Sequence, residues 1–119
     1  RVVPIFPEGQ ITPRSGEALG EFRKAAELEP DSPQYAYVYA VALHSGGRAE
    51  EAMSVLKNAL TSHPNNRSIL FALIAFSRTN GDAEAALVYA QRLAVITPDD
   101  TNLAKIIGDL RQATKPPSR

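Results

Sequence analysis

The sequence predicts an all-α protein built from a helical pair that repeats along the chain, and three observations lead to this fold class. Pro30, Pro64 and Pro98 lie 34 residues apart, each in a polar turn. Gly47 and Gly81, which interrupt the segments between those turns, keep the same spacing. Between the breaks, apolar residues recur every three or four positions, which is the spacing of one helical face. A fixed period of this length indicates a helical repeat protein.

The first element, residues 1–13, does not follow this period. Three residues there oppose a helix, namely Pro4, Pro7 and Gly9. We therefore expect an irregular, extended segment where the period requires the first helix of a pair. Residues 14–30 then supply only the second helix of that pair, with Ser15 as its N-cap. The apolar face of this half repeat consists of Ala18, Leu19, Phe22 and Ala25.

Two complete helical pairs follow, at residues 31–64 and 65–98. In the first, Ser32 is the expected N-cap of the helix "QYAYVYAVALHS", which stops at two glycines, and "RAEEAMSVLKNALTSH" is the second helix. In the second pair, "RSILFALIAFSRTN" ends at Gly81, and Asp82 caps "AEAALVYAQRLAVI". The two pairs thus share one order of cap, helix, glycine break and helix.

A last helix at residues 99–113 opens a further repeat. Its apolar residues form a narrow stripe of Leu103, Ile106, Ile107 and Leu110. One-sided apolarity is what a terminal capping helix needs, because its outer face meets water. We expect the six residues that follow, 114–119, to be a flexible tail.

The repeat resembles the tetratricopeptide repeat, or TPR, whose 34-residue motif has characteristic small and large residues in both helices. In the first complete pair, the residues that match the motif are Tyr39, Ala40, Ala52, Leu56, Ala59 and Pro64. In the second they are Leu73, Ala86, Ala90, Leu93 and Pro98. This second pair departs from the motif at Ile74, where a small residue is usual, and at Ser77, where an aromatic residue is frequent. We expect these departures to alter the helix-pair contact locally.

The resemblance implies antiparallel helix-turn-helix repeats stacked as a short right-handed superhelix, an α-solenoid, whose first helices line a concave groove that binds partner peptides. By the family's register, the groove residues are Gln34, Tyr37, Val41, His44, Phe71, Ala75, Arg78 and Lys105. The same register also places Ser45, Ser68, Thr79, Asn102 and Asp109 on the groove side. The groove would thus hold two aromatic rings and a basic edge. We expect a protein or peptide partner with apolar side chains and one carboxylate.

One TPR subclass does not fit these residues. The subclass that binds the C-terminal tails of chaperones grips two carboxylates with lysine, asparagine and arginine. The corresponding positions here are Tyr37, Val41 and Ala72, whose side chains cannot bind a carboxylate in that way. The two helical stretches "YAYVYAVALHSGGR" and "FALIAFSRTNGDAEAAL" instead resemble the C-terminal TPR segment of long bacterial proteins.

Composition excludes several other classes of function. The 13 basic and 13 acidic side chains cancel, which argues against a nucleic-acid or anionic-membrane binder. The chain has no cysteine, so it carries no disulfide and no thiol nucleophile. Since no stretch approaches the roughly 18 apolar residues of a membrane span, we expect a soluble cytoplasmic or periplasmic protein.

Catalysis is not predicted. His44 and His63 lack the surroundings of a nucleophile, a metal site or a phosphate-binding loop, so we expect no enzyme activity, no metal and no cofactor. The adjacent acidic pairs, Glu50-Glu51 and Asp99-Asp100, lie at helix starts, where negative charge is favourable without any catalytic role.

Three interpretations of the N-terminus stay open. Because the chain begins with Arg1 rather than methionine, it could be a piece of a longer TPR array. In the second interpretation, the apolar residues of the segment 1–13 cover the helix that follows. In the third, that helix pairs with a second copy as a homodimer. The alternative function is accordingly a structural or dimerising segment at the end of a larger bacterial TPR protein.

Overall fold

The computed structural model describes residues 16–115, with side chains from Leu19 onward, and every regular element in that range is an α-helix. The helices are α1 Gly16–Leu28, α2 Pro33–Ser45, α3 Ala49–Ser62, α4 Arg67–Thr79, α5 Ala83–Ile96 and α6 Thr101–Thr114. The all-α fold class is therefore confirmed. The predicted segment 1–13, the cap Ser15 and the tail beyond Lys115 lie outside the described residues.

The chain divides into two compact units, one ending at Pro64 and the other beginning at Asn65. In the first unit, α2 packs against both α1 and α3. In the second, α5 packs against both α4 and α6. Three or four residues connect the successive helices of a unit, and connections this short make neighbouring helices antiparallel.

The N-caps of α2, α4 and α6 lie 34 residues apart and use the same hydrogen bond. The Ser32 hydroxyl accepts a backbone N–H bond at 3.2 Å, and the Asn66 and Asp100 side chains each accept one at 3.0 Å. In all three helices the donor lies three residues after the cap, where a helix has no backbone acceptor of its own. Asp82 caps α5 in the same way at 3.1 Å. The predicted caps Ser32 and Asp82 are confirmed.

Glycine ends the first helix of both complete pairs. Gly47 has a φ of 84° and Gly81 a φ of 79°, which is the left-handed region that glycine adopts without strain. In each turn, the N–H of the following residue donates to a carbonyl five positions back at 2.8 Å. These bonds form a Schellman motif that satisfies the last carbonyls of the helix and reverses the chain. The predicted glycine breaks thus have a clear conformational cause.

Large and small core residues exchange places between the two complete pairs. At four corresponding positions, 34 residues apart in the two pairs, a small residue in one pair is replaced by a large one in the other. These positions are Ala40 and Ile74, Leu43 and Ser77, Leu56 and Ala90, and Ala59 and Leu93. All eight are buried except Ala59, which is half-buried. Each pair therefore has two large and two small residues at these positions, in opposite order. Such an exchange conserves core volume, which is the kind of change that packed interiors tolerate best.

Candidate protein-binding surface

The residues predicted on α2 form one accessible stripe of that helix. Gln34, Tyr37, Val41 and His44 are separated by three or four positions, so they share a face. Five other residues of α2 are buried, in keeping with its place between α1 and α3, whereas Tyr39 is half-buried and Tyr35, near the start of the helix, is exposed. Tyr37 is 38% exposed, and Val41 and His44 are half-buried. The stripe therefore presents an aromatic ring beside an aliphatic residue.

On α4 the predicted residues form a second stripe with the same spacing. Ser68, Phe71, Ala75 and Arg78 are all exposed, and the Phe71 ring is 47% exposed. The opposite side of α4 carries the buried core residues Ile69, Leu70, Leu73 and Ile74. Because the core side is so well filled, α4 has no need of Phe71 for its own packing. An exposed phenylalanine next to an arginine is typical of an interaction surface.

Lys105 lies on the exposed side of α6, together with Asn102 and Asp109. The α6 residues that pack inward are Leu103 and Leu110, which are buried, and Ile106 and Ile107, which are half-buried. Lys105 and Arg78 are exposed cations of the second unit, whereas the α2 stripe belongs to the first. The predicted basic residues are thus accessible to an anionic group.

His44 lies in the last turn of α2, is half-buried and makes a contact within the chain. His63 follows α3, and its Nε2–H donates to the Asp31 carbonyl at 2.6 Å. Because a carbonyl only accepts, this bond fixes the tautomer of His63 with a proton on Nε2. His63 therefore joins the end of α3 to the turn before α2, which is a structural role.

Sequence reasoning missed four accessible apolar side chains, one of which is Leu28 at the end of α1. Tyr35 is 43% exposed, although the residue 34 positions later, Ile69, is buried. The residue type could have indicated this exposure. The corresponding residues of the later repeats are aliphatic, whereas tyrosine has a polar hydroxyl that prefers water. Val88 and Val95 of α5 are also exposed. A comparison with α3 could have indicated their exposure, because the corresponding residues there, 34 positions earlier, are Ser54 and Thr61.

Two family models, both described as tetratricopeptide repeat, match the chain at residues 14–67 and 43–110. The chain belongs to the tetratricopeptide repeat family. The two matches together span α1 to α5 and most of α6. A search of curated proteins gave no match.

Tetratricopeptide repeats generally mediate protein–protein interactions and are typically non-catalytic scaffolds. Membership therefore indicates a protein partner for this TPR chain. Among residues 16–115, no three histidine, aspartate or glutamate side chains come together as a metal site would require. Within the same range, no helix has the length and apolarity to cross a membrane.

Proposed function

We propose that this TPR chain is a non-catalytic interaction module that binds a protein partner through a peptide segment, using the accessible stripes of its first helices. The observation that carries this proposal is the repeated exposed aromatic residue. Tyr37 and Phe71 lie 34 positions apart, at the same place in α2 and α4, and both rings are accessible. A solvated helix face does not need an aromatic ring at the same position of two successive repeats.

The surroundings of the two rings define the chemistry of the partner. Val41 follows Tyr37 by one helical turn and Ala75 follows Phe71 in the same way, so each ring adjoins a small apolar surface. Burial of an aromatic ring at an interface removes a large apolar area from water with little loss of side-chain entropy. The partner segment is therefore one with apolar side chains that can pack against such a ring.

The cations add a preference for negative charge. Arg78 lies at the end of the α4 stripe, and its guanidinium presents a fork of N–H donors that fits a carboxylate. Lys105 of α6 is a second accessible cation. We propose that the peptide carries a carboxylate, from aspartate, glutamate or its own C-terminus, next to its apolar residues. Raised salt then weakens binding, since exposed charges are screened.

The test is selection of peptides from a displayed library on the purified chain, followed by affinity measurements with the best sequence. Tyr37→Ala and Phe71→Ala are each expected to weaken binding at least about fivefold, because a buried aromatic anchor contributes more than about 1 kcal/mol. Tyr35→Ala is the matched control, because Tyr35 is an equally exposed tyrosine of the same helix outside the stripe. It is expected to leave the affinity within about twofold.

Two results contradict this proposal. If Tyr35→Ala weakens binding as much as Tyr37→Ala, the stripe is not the contact surface. If Tyr37→Ala and Phe71→Ala reduce helicity by circular dichroism, the rings stabilise the fold and do not serve a partner. Unchanged helicity with lost affinity supports the proposal.

The alternative, a structural or dimerising segment that pairs through α1, has one observation in its favour. Leu28 at the end of α1 is 72% exposed, and Leu19 of the same helix is only half-buried. Leu28→Glu would then abolish a dimer seen by light scattering. A dimer that keeps its mass in this variant contradicts pairing through α1.

A further inference from the structure

The α5 helix presents two valines to water on the face that does not pack against α4 or α6. Val88 is 55% exposed and Val95 is 82% exposed. They are seven residues apart, so they lie on one side of the helix two turns from each other. Neither residue belongs to the stripes of the first helices. A β-branched residue at a solvated helix position is a poor choice for helix stability, because it loses side-chain freedom there.

The corresponding face of α3 shows what this surface looks like when only water covers it. Ser54 and Thr61 stand where α5 has Val88 and Val95, and both are exposed. Two charged residues of α3 also change, since Glu51 and Lys57 correspond to Ala85 and Gln91. On this face, the same helix of the next repeat has therefore lost two hydroxyls and two charges and has gained aliphatic side chains, together with one cation, Arg92, where α3 has Asn58. Repeat architecture alone does not account for this difference.

The charges on this face of α5 are arranged symmetrically about Val88. Glu84 precedes Val88 by four residues and Arg92 follows it by four, and both side chains are exposed. In an antiparallel pairing of two α5 helices about a twofold axis at Val88, Glu84 of one copy lies opposite Arg92 of the other. The axis repeats this ion pair, so both charged residues of each copy meet an opposite charge. Arg92 already has a contact within the chain, and its five N–H donors allow it to keep that contact as well.

The same pairing gives Val95 a place to pack. In this antiparallel pairing, Val95 of one copy reaches the N-terminal end of α5 of the other, where the preceding turn contains Gly81. Gly81 has no side chain, and no heavy atom lies within 4 Å of where its Cβ would be. Val95 of one copy can therefore lie over the turn before α5 of the other. Val88 meets its own counterpart at the centre.

We propose that a second copy of this chain pairs with this face of α5 as an antiparallel, twofold-symmetric dimer. The occupant is another copy because the face is complementary to itself in charge, with an exposed valine at its centre. One helix pair buries less than the roughly 1,200 Å² of a standard stable interface. The dimer is therefore reversible, with a dissociation constant in the micromolar to millimolar range, and forms as concentration rises.

Sedimentation velocity across a concentration series of the full chain tests the proposal. The wild-type chain is expected to change from monomer to dimer with concentration. A variant that combines Val88→Ser with Val95→Thr takes the residues that α3 has in the same columns, and it is expected to raise the dissociation constant at least tenfold. Circular dichroism should remain unchanged, because both valines are exposed. Ser54→Ala with Thr61→Ala on α3 is the matched control and is expected to leave the dissociation constant unchanged.

A charge exchange tests the register directly. Glu84→Arg and Arg92→Glu are each expected to weaken self-association, since each places two like charges opposite each other. An equimolar mixture of these two variants is expected to recover the dimer, because every pairing across the axis is again between opposite charges. Glu50→Arg, at the corresponding position of α3, is the control and should have no effect.

Three results overturn the proposal. The first is a wild-type chain that stays monomeric up to about 1 mM. The second is a dimer that survives the double valine variant, and above all one that is lost in Leu28→Glu instead. Failure of the mixed charge variants to associate, with each variant folded, rejects this antiparallel register.

Discussion

The two complete helical pairs, α2–α3 and α4–α5, have the same backbone plan but solve the packing of their cores in opposite ways. Both pairs begin with a capped helix and turn at a glycine with positive φ. Where α2 has Ala40 followed by Leu43, α4 has Ile74 followed by Ser77. The repeat therefore prescribes backbone geometry and total core volume, and leaves open which of the two positions on each helix holds the large side chain.

The size exchange predicts the largest effect. Ile74→Ala removes a buried side chain from α4 and should lower the free energy of unfolding by about 2 to 4 kcal/mol. Ala90→Leu, added to it, restores the small-then-large order that Ala40 and Leu56 have in the first pair. The double variant should lose less free energy of unfolding than the sum of the two single losses, by about 1 to 2 kcal/mol, as urea unfolding would measure. Strict additivity would mean that the two positions do not compensate for each other.

The second helices of the pairs differ in their caps. Asp82 accepts the Ala85 N–H at the start of α5, whereas Arg48 makes no side-chain cap at the start of α3. Asp82→Ala should destabilise the chain by about 1 kcal/mol, and Arg48→Asn should stabilise it by a similar amount. Arg48→Asn also removes the 3.8 Å ion pair with Glu51, which contributes little because both groups are exposed. Thermal unfolding would measure both, and a loss of stability in Arg48→Asn would contradict the argument.

Ser77 of α4 predicts a gain in stability of similar size. It is 1% exposed, and among the residues that the structure describes its hydroxyl oxygen has no hydrogen-bond partner. Removing an unsatisfied buried hydroxyl relieves its desolvation cost, so Ser77→Ala should stabilise the chain by about 1 kcal/mol. Ser68→Ala, an exposed serine of the same helix, should change stability by less than about 0.5 kcal/mol. A destabilised Ser77→Ala would show that the hydroxyl is satisfied in solution.

The smallest expected effect on stability concerns the residues that follow the second helix of each pair. His63 donates to the Asp31 carbonyl and so links two turns, whereas Thr97, in the same column, donates to the Leu93 carbonyl of its own helix at 3.0 Å. His63→Ala removes the longer-range hydrogen bond and should lower the free energy of unfolding by about 0.5 to 1 kcal/mol. Thr97→Ala should cost less, because it breaks only a local bond. Equal effects in chemical denaturation would remove this distinction between the pairs.

Local signals in the sequence were sufficient for the helices and their ends. Ser32 and Asp82 act through bonds to residues three positions away, and Gly47 and Gly81 act through their own φ, so a linear sequence contains what decides them. The exposed stripes also follow from one helical period. Whether Tyr37 and Phe71 bind a partner stays a prediction, as do the repeat boundaries at 31–64 and 65–98.

Features that depend on the neighbouring helix were harder to predict. Ile74 and Ser77 were recognised as departures from the repeat, but their compensation requires all four exchanged positions to be compared together. Tyr35 is exposed although its column is apolar elsewhere, and the bond from His63 spans 32 residues. Such features depend on tertiary packing and have no local sequence rule.

The order of helix contacts also bears on how the chain folds. Inside each unit, the central helix packs on the helices immediately before and after it in sequence, and short turns join them. Contacts between near neighbours require the closure of only small loops, so little chain entropy is lost before they form. Low contact order of this kind is characteristic of domains that fold within microseconds to milliseconds. Each unit can therefore collapse soon after its last helix leaves the ribosome, without waiting for distant parts of the chain.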